Sequence, residues 1–218
     1  MKLTRFAQSC ILVESKGKRI LIDPGDLEYH DKLLEEWKCD AIFVTHKHSD
    51  HFHINAIKQL LTKYNCKFYS SREVAASSTE LKPEIVKAGN IVKVGEIKVE
   101  VVKSVHGYVP FLKGDLEIKE GLGFIIDDSR KRAYFVGDSL CFENDFKCNV
   151  LFVPVNNHGL AMGPFEAALF AKETGADLVI PYHYENPRFP ADLDKIKEEF
   201  EKQDLNYKFL RIKETIEV

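Results

Sequence analysis

The chain has 218 residues, of which 44% are hydrophobic and 30% charged, and its formal net charge is −3. These values are ordinary for a globular protein that can bury a substantial core. The slightly acidic balance disfavours a broad basic face, so we expect no long nucleic acid as a partner.

The cysteines and the apolar segments indicate the cellular compartment of the protein. The number of cysteines is odd, at five, and none of them form a CxxC pair, which favours reduced thiols over a disulfide framework. The N-terminal segment resembles no signal peptide, and no apolar window is long enough to span a membrane. We therefore expect a cytoplasmic protein without a membrane partner, and the sequence leaves a homo-oligomer open.

The first third of the chain alternates short apolar runs with turns. Strands are predicted over residues 9–14, 19–22 and 41–45. Apolar residues at helical spacing predict helices over residues 27–37 and 54–64. The second strand ends at the turn Asp23-Pro24-Gly25.

The remaining elements are hairpins followed by alternating strands and helices. Hairpins are predicted over residues 91–105 and 123–136, and single strands over residues 150–155, 178–182 and 207–212. Helices are predicted over residues 164–174, where Pro164 suits the first turn, and 193–202. Antiparallel hairpins that feed mixed sheets indicate a single α/β domain over residues 1–218.

The stretch 41-AIFVTHKHSDHFHIN-55 holds four of the eight histidines. In an extended segment His46 and His48 project to the same side, so both can bind one cation, while Asp50 and His51 can reach a second. Imidazole and carboxylate groups are ligands for zinc, and also for manganese and iron. The alternative is a polar loop in which the histidines coincide by chance, but an HxHxDH spacing is rarely accidental.

Three later residues strengthen the metal interpretation. His106, Asp138 and His183 each follow a strand-like apolar run, in VEVVKSVHG, AYFVGDS and LVIPYHY. Strand ends can hold ligands rigidly at one edge of a sheet. A lone His or Asp at such a position is more often a satisfied polar group, but these three together with His46, His48, Asp50 and His51 form a set of seven possible ligands.

The sequence resembles the metallo-β-lactamase-fold hydrolases in the segments SCILVESKGKRILIDPG, THKHSDH, VHG, FVGDS, PVNNHGLAMGP and PYHY. The first and fifth of these look most like the branch of L-ascorbate-6-phosphate lactonase. The resemblance implies a four-layer αββα sandwich with a dinuclear site at one edge. It also implies the ligand sets: His46, His48 and His106 for one metal, Asp50, His51 and His183 for the other, and Asp138 as the bridge.

Such a site predicts a hydrolase. Two divalent ions, with Zn²⁺ expected and Mn²⁺ or Fe²⁺ as alternatives, would share a hydroxide that attacks a small ester, lactone or phosphodiester. Asp50 is the expected catalytic residue, because it can orient that hydroxide or accept its proton. Two alternatives stay open: a phosphodiesterase or nuclease of the same fold, and a non-catalytic binding protein stabilised by metal.

Four further residues are weighed as neighbours of the site. Asp23 is either a turn former or the partner of a ligand histidine's free N–H. His158 and Asn157 lie in a glycine-containing loop that can approach a substrate closely, or they only shape that loop. His53 falls outside the motif, and we expect it on the surface or at the start of the following helix.

Overall fold

The computed structural model describes residues 1–109 and 116–218, and within them two sheets account for the strands. The first sheet contains β1 (Lys2–Arg5), β2 (Ile11–Ser15), β3 (Lys18–Ile22), β4 (Ala41–Phe43), β5 (Lys67–Ser70), β6 (Glu84–Ile85) and β13 (Thr215–Glu217). Their spatial order is β13-β1-β2-β3-β4-β5-β6. The strands from β13 to β3 pair antiparallel, and those from β3 to β6 pair parallel.

The second sheet has six strands and the same mixture of pairings. They are β7 (Ile91–Val94), β8 (Ile97–Lys103), β9 (Leu122–Asp127), β10 (Arg132–Phe135), β11 (Val150–Pro154) and β12 (Leu178–Tyr182). Their order is β12-β11-β10-β9-β8-β7, antiparallel from β7 to β10 and parallel from β10 to β12. The predicted hairpins feeding mixed sheets are therefore confirmed.

In the part of the chain that the structure describes, five helices lie outside the sheets. They are α1 (Leu33–Glu36), α2 (Ile54–Tyr64), α3 (Arg72–Ala76), α4 (Pro164–Thr174) and α5 (Leu193–Lys202). The sequence explains the start and end of α4: Glu166 accepts a hydrogen bond from the N–H of Gly163 at 2.7 Å, Pro164 occupies the first turn, and Gly175 ends the helix in the left-handed conformation. Three predicted helices, α2, α4 and α5, keep their predicted boundaries.

Three apolar clusters define the layers. The central cluster joins the facing sides of the two sheets, where the rings of Phe43 and Phe124 meet edge to face with centroids 5.1 Å apart. A second cluster packs α1, α2 and α3 on the outer face of the first sheet, and a third packs α4 and α5 on the second sheet. The predicted four-layer αββα sandwich is confirmed, and strands buried on both faces, such as β11, explain the continuous apolar runs.

The strand predicted over residues 207–212 is wrong. Tyr207 forms only an isolated parallel bridge with Val179, and Tyr207 and Phe209 instead pack their rings against the cluster around α5. The closing strand is β13, which pairs antiparallel with β1 at the other end of the chain. A pairing between the two ends of the chain carries no local sequence signal, and β1 itself was also missed.

The first predicted helix, over residues 27–37, is much shorter than expected. Only Leu33–Glu36 is helical, and Glu28 adopts a positive φ of 55° that excludes a right-handed helix at that residue. The apolar spacing nevertheless had a physical basis, since Leu33, Leu34 and Trp37 are all buried in the second cluster. Burial of these side chains, rather than helix length, accounts for the pattern.

The central core predicts a test of the fold. Phe152 is fully buried and stacks on Phe135 with ring centroids 4.8 Å apart. Phe152→Ala should lower the free energy of unfolding by about 3–5 kcal/mol, because the change leaves a cavity between the sheets. The control Phe165→Ala, at a position that is 56% exposed, should change it by less than about 0.5 kcal/mol. Urea unfolding measures both, and equal losses would contradict this placement of the core.

Candidate metal centre

Five histidines and two aspartates meet at the edge of the sandwich where several strands end. All seven predicted ligands are in this set: His46, His48, Asp50 and His51 between β4 and α2, His106 after β8, Asp138 after β10, and His183 after β12. Their ligand atoms form three groups, each within 4.8 Å: His46, His48 and His106; His46, His51 and Asp138; and Asp50, His51 and His183. The structure therefore brings together every residue of the predicted set.

Asp138 lies between the two outer groups. Its Oδ1 is 3.4 Å from Nε2 of His51, and its Oδ2 is 2.9 Å from Nε2 of His183 and 3.8 Å from Nε2 of His106. The carboxylate is almost completely buried. Burial opposes its ionisation, but His183 and His51 outweigh that effect and hold the pKa of Asp138 well below its usual range. An ionised carboxylate thus stands in contact with both groups of histidines.

In His106 and His48, a hydrogen bond from one ring nitrogen to a backbone carbonyl leaves the other nitrogen facing the centre. His106 donates from Nδ1 to the carbonyl of Gly107 at 2.7 Å, so Nε2 keeps its lone pair. His48 donates from Nε2 to the carbonyl of Leu116 at 2.8 Å, so Nδ1 keeps its lone pair and lies 3.1 Å from Nε2 of His46. Two lone pairs at that distance repel each other unless a cation lies between them.

The carboxylate of Asp23 orients the rings of His46 and His51. It accepts hydrogen bonds from the backbone N–H of Thr45 and from the Thr45 hydroxyl, both at 2.8 Å, and from Nδ1 of His51 at 2.7 Å. Because its proton goes to Asp23, the Thr45 hydroxyl accepts from Nδ1 of His46 at 3.0 Å. His46 and His51 therefore both turn Nε2 towards the site, and Asp138, Asp50 and Asp23 raise the pKa of His51 despite its burial. The contact predicted between Asp23 and a ligand histidine is present.

The third group concentrates opposite charges. Oδ2 of Asp50 lies 3.5 Å from Nε2 of His183 and 4.0 Å from Nε2 of His51. Burial opposes ionisation of Asp50, yet His51 and His183 hold its pKa below the usual range. Burial likewise opposes protonation of His183, but Asp138 and Asp50 raise its pKa to about 9. A metal ion bound here would take the place of that proton.

The donor atoms at the centre fit a divalent cation. Among the residues that the structure describes, four buried atoms of the set have no hydrogen-bond partner: Nε2 of His51, of His106 and of His183, and Oδ1 of Asp138. A buried polar atom without a partner costs about 1–3 kcal/mol, so several together need a compensating ligand. Imidazole nitrogens and carboxylate oxygens are the ligands that zinc takes in catalytic sites.

The backbone around the site is tightly constrained. A Cβ on Gly25 would lie 1.9 Å from the carbonyl oxygen of Asp50, and one on Gly107 would lie 1.8 Å from that of Gly159. Both positions therefore require glycine. Asp23 and His183 themselves hold positive φ angles of 47° and 67°, a costly conformation that such sites retain when the surroundings enforce it.

The residues predicted around the site have different positions. His158 is exposed and binds the carbonyl of Pro190 through Nε2 at 2.9 Å, while its backbone N–H donates to Asn156 at 3.0 Å. Asn157 is exposed in the same loop with a φ of 62°. These contacts shape the loop, and substrate contact by either residue stays a prediction. His53 is the N-cap of α2, at the expected helix start.

Sequence reasoning missed four polar residues that contact the predicted ligands. Thr45 orients His46, and Gln8 donates to Asp50 at 2.9 Å. The Oγ of Ser9 lies 2.9 Å from Nδ1 of His51, and Nδ2 of Asn156 lies 3.5 Å from Nδ1 of His183. The only local signal was the position of Thr45, between the end of a strand and the first histidine. Ser9 and Gln8 are 42 residues from their partners, so only the fold reveals them.

Comparison with known proteins agrees with this geometry. The model of the β-lactamase superfamily domain matches residues 2–183. The chain belongs to this superfamily. A UPF0173 metal-dependent hydrolase from Bacillus cereus is 30% identical over 199 residues, which cover 84% of this chain and 86% of the relative. The chain is a metal-dependent hydrolase of the metallo-β-lactamase superfamily.

Two solved structures show the same fold. Igni18, described as a metallo hydrolase from Ignicoccus hospitalis, superposes with a TM-score of 0.80 at 24% identity, covering 99% of this chain and 97% of that one. YhfI from Bacillus subtilis, described as a metallo-β-lactamase fold protein, has a TM-score of 0.77 at 17% identity, with coverages of 99% and 98%. At these identities the structures support the fold alone. None of these relatives is described as a lactonase, so the predicted lactonase branch stays a prediction.

A membrane-spanning helix needs about 20 predominantly apolar residues. In residues 1–109 and 116–218, no helix combines the length and the apolar character needed to cross a membrane.

The hydrogen bonds of Asp23 predict a test of ligand orientation in this superfamily member. Asp23→Asn removes the negative charge and one acceptor, so at least one partner among Thr45 and His51 loses its hydrogen bond. We expect affinity for Zn²⁺ to fall by about 10–100-fold, as for other partners of ligand histidines. Competition with a chromophoric chelator measures the affinity. The matched control is Asp26→Asn, at an exposed position three residues away, and equal affinities in the two variants would contradict the role of Asp23.

Proposed function

We propose that this chain is a dinuclear metal-dependent hydrolase that acts on a small ester, lactone or phosphodiester. In this proposal His46, His48 and His106 hold one cation, Asp50, His51 and His183 hold the other, and Asp138 contacts both. Zn²⁺ is the proposed metal, with Mn²⁺ and Fe²⁺ as alternatives. The single observation that carries the proposal is the position of Asp138, within 4 Å of Nε2 of His51, His106 and His183.

The separation of the groups supports a count of two. His48 and His106 belong only to the first group, and Asp50 and His183 only to the third. One cation cannot take all seven ligands in a tetrahedral or five-coordinate geometry of the kind that zinc adopts. With two cations, each would have three of these ligands, and the carboxylate of Asp138 would be available to both.

The proposed chemistry divides between the metals and the protein. When bound, the two cations would lower the pKa of a water towards about 7 and so supply hydroxide at neutral pH. Asp50 is the proposed catalytic residue, since its carboxylate is held ionised beside the centre and can orient that nucleophile or accept its proton. Asp23 and Thr45 keep the rings of His46 and His51 in the tautomer that faces the centre.

The proposal predicts metal-dependent turnover. The purified chain should bind about two equivalents of Zn²⁺, and a strong chelator should abolish hydrolysis in a panel of ester, lactone, thioester and phosphodiester substrates. Readdition of Zn²⁺ should restore it. Cleavage of bis(p-nitrophenyl) phosphate without cleavage of RNA or DNA would favour small phosphodiesters over a nuclease. A fully metal-loaded protein that hydrolyses no member of the panel would contradict the proposal.

A variant pair tests the shared carboxylate separately. Asp138→Ala should lower kcat/KM by at least about 100-fold, because the carboxylate that contacts both groups supplies several kcal/mol of site organisation. Asp145→Ala, the same change at an exposed position, should keep the activity of the unaltered chain. Steady-state kinetics on the best substrate of the panel decide between them. An active Asp138→Ala variant would rule out the proposed role.

A further inference from the structure

Gln8 is a buried polar residue at the metal centre to which the proposed function gives no role. It lies in the loop between β1 and β2, is fully buried, and donates from Nε2 to Oδ2 of Asp50 at 2.9 Å. This is the same oxygen that faces His183 at 3.5 Å and His51 at 4.0 Å. The hydrogen bond of Gln8 therefore fixes the direction from which those two histidines meet Asp50.

A partly buried ion pair holds Gln8 in place. The guanidinium of Arg5, which is fully buried, binds both carboxylate oxygens of Glu185, at 3.0 and 2.5 Å, and also donates to the carbonyl of Leu210 at 2.9 Å. The same carboxylate accepts the backbone N–H of Gln8 at 3.2 Å. Glu185 follows His183 by two residues, so the contact ties the loop of Gln8 to the segment that carries a proposed ligand.

This arrangement is energetically costly. Gln8 has a φ of 58°, a left-handed conformation that costs a non-glycine residue about 1–3 kcal/mol at such sites. Its Oε1 is buried and has no hydrogen-bond partner among the residues that the structure describes. A glycine in this turn would avoid both costs. The hydrogen bond to Asp50 is the contact of the side chain that offsets them.

The chemistry of the amide suits a carboxylate that must also bind a cation. A neutral N–H satisfies one lone pair of Oδ2 and leaves the negative charge of Asp50 intact. A lysine or arginine at this position would neutralise that charge and compete with the metal. Hydrogen bonds to charged groups contribute about 1.5–3 kcal/mol, which is enough to fix a carboxylate rotamer.

We propose that Gln8 is a positioning residue that orients Asp50 for the second cation and for catalysis, held there by Arg5 and Glu185. This inference rests on the proposed dinuclear function. It predicts a selective effect: loss of the Gln8 amide weakens the cation held by Asp50, His51 and His183, and spares the one held by His46, His48 and His106.

Zn²⁺ titration of the full chain tests the selectivity. In Gln8→Met, which keeps the length of the side chain and removes the donor, the second equivalent should bind about 10–100-fold more weakly. The first equivalent should stay within twofold of the unaltered chain. In Gln8→Asn, which tolerates a left-handed backbone but is one methylene too short to reach Asp50, the same selective loss is expected. Gln59→Met, at an exposed position of α2, is the matched control and should change neither equivalent.

Kinetics supply the second readout. On the best substrate of the panel, kcat of Gln8→Met should fall at least tenfold, with KM changed less than threefold, because the residue acts on the catalytic carboxylate and not on the substrate. Urea unfolding of the metal-free variants shows whether the fold is kept, and Gln8→Asn guards against a misfolded Gln8→Met.

The measurements distinguish failure of the Gln8 inference from failure of the proposed dinuclear function. Two equivalents in the unaltered chain, with both affinities and kcat of the Gln8 variants within twofold of it, would overturn the inference and leave the proposed function standing. Equal weakening of both equivalents would also overturn it, since Gln8 would then support only the fold. A single equivalent in the unaltered chain would overturn the proposed function, and the inference with it.

Discussion

The carboxylate of Asp23 is the interaction on which the rest of the site depends. It lies at the end of β3 and binds the backbone and the hydroxyl of Thr45 at the end of β4, so it joins two neighbouring parallel strands where they leave the sheet. Through Nδ1 of His51 directly, and of His46 by way of Thr45, it also decides which ring nitrogens face the centre. Burial raises the pKa of Asp23 and the adjacent His51 opposes that rise. One buried carboxylate thus connects the fold to the ligand chemistry.

The sandwich supplies the rigidity that such a site needs. The predicted ligands follow β4 of the first sheet and β8, β10 and β12 of the second. The central apolar core fixes the two sheets relative to each other. Close approaches at Gly25 and Gly107 then lock the loops that carry Asp50 and His106. The predicted ligand side chains, which lie within a few ångströms of one another, are held by packed strands and by the close approaches at these two glycines, where a Cβ would not fit. The site is consequently preorganised, and the buried lone pairs at its centre are the cost of that arrangement.

The part of the site that sequence could predict is the part with a local pattern. The spacing of His46, His48, Asp50 and His51 is visible in six residues, and His106, Asp138 and His183 each follow an apolar run that becomes a strand. The four-layer fold was accessible for the same reason, together with the resemblance to a known family. The family resemblance and the positions of these residues at strand ends therefore predicted the ligands without any interatomic distance between them.

The remaining features depend on contacts between distant segments. Arg5 and Glu185 are 180 residues apart, Gln8 and Asp50 are 42 apart, and β13 pairs with β1 across the whole chain. No periodicity marks such partners. The first helix was predicted too long because apolar spacing reports burial, whereas the positive φ of Glu28 is set by the turn it occupies. The sequence pattern does not predict the substrate, because the ligand residues indicate the type of reaction and not the molecule that reacts.

We propose that two cations share this edge of the sandwich. Anomalous scattering from crystals of the Zn²⁺-loaded chain, recorded on both sides of the zinc edge, tests it most directly. The account predicts two peaks about 3.5–4 Å apart, one among His46, His48 and His106 and the other among Asp50, His51 and His183, with Asp138 between them. A single peak at full zinc loading, or peaks away from these side chains, would contradict it.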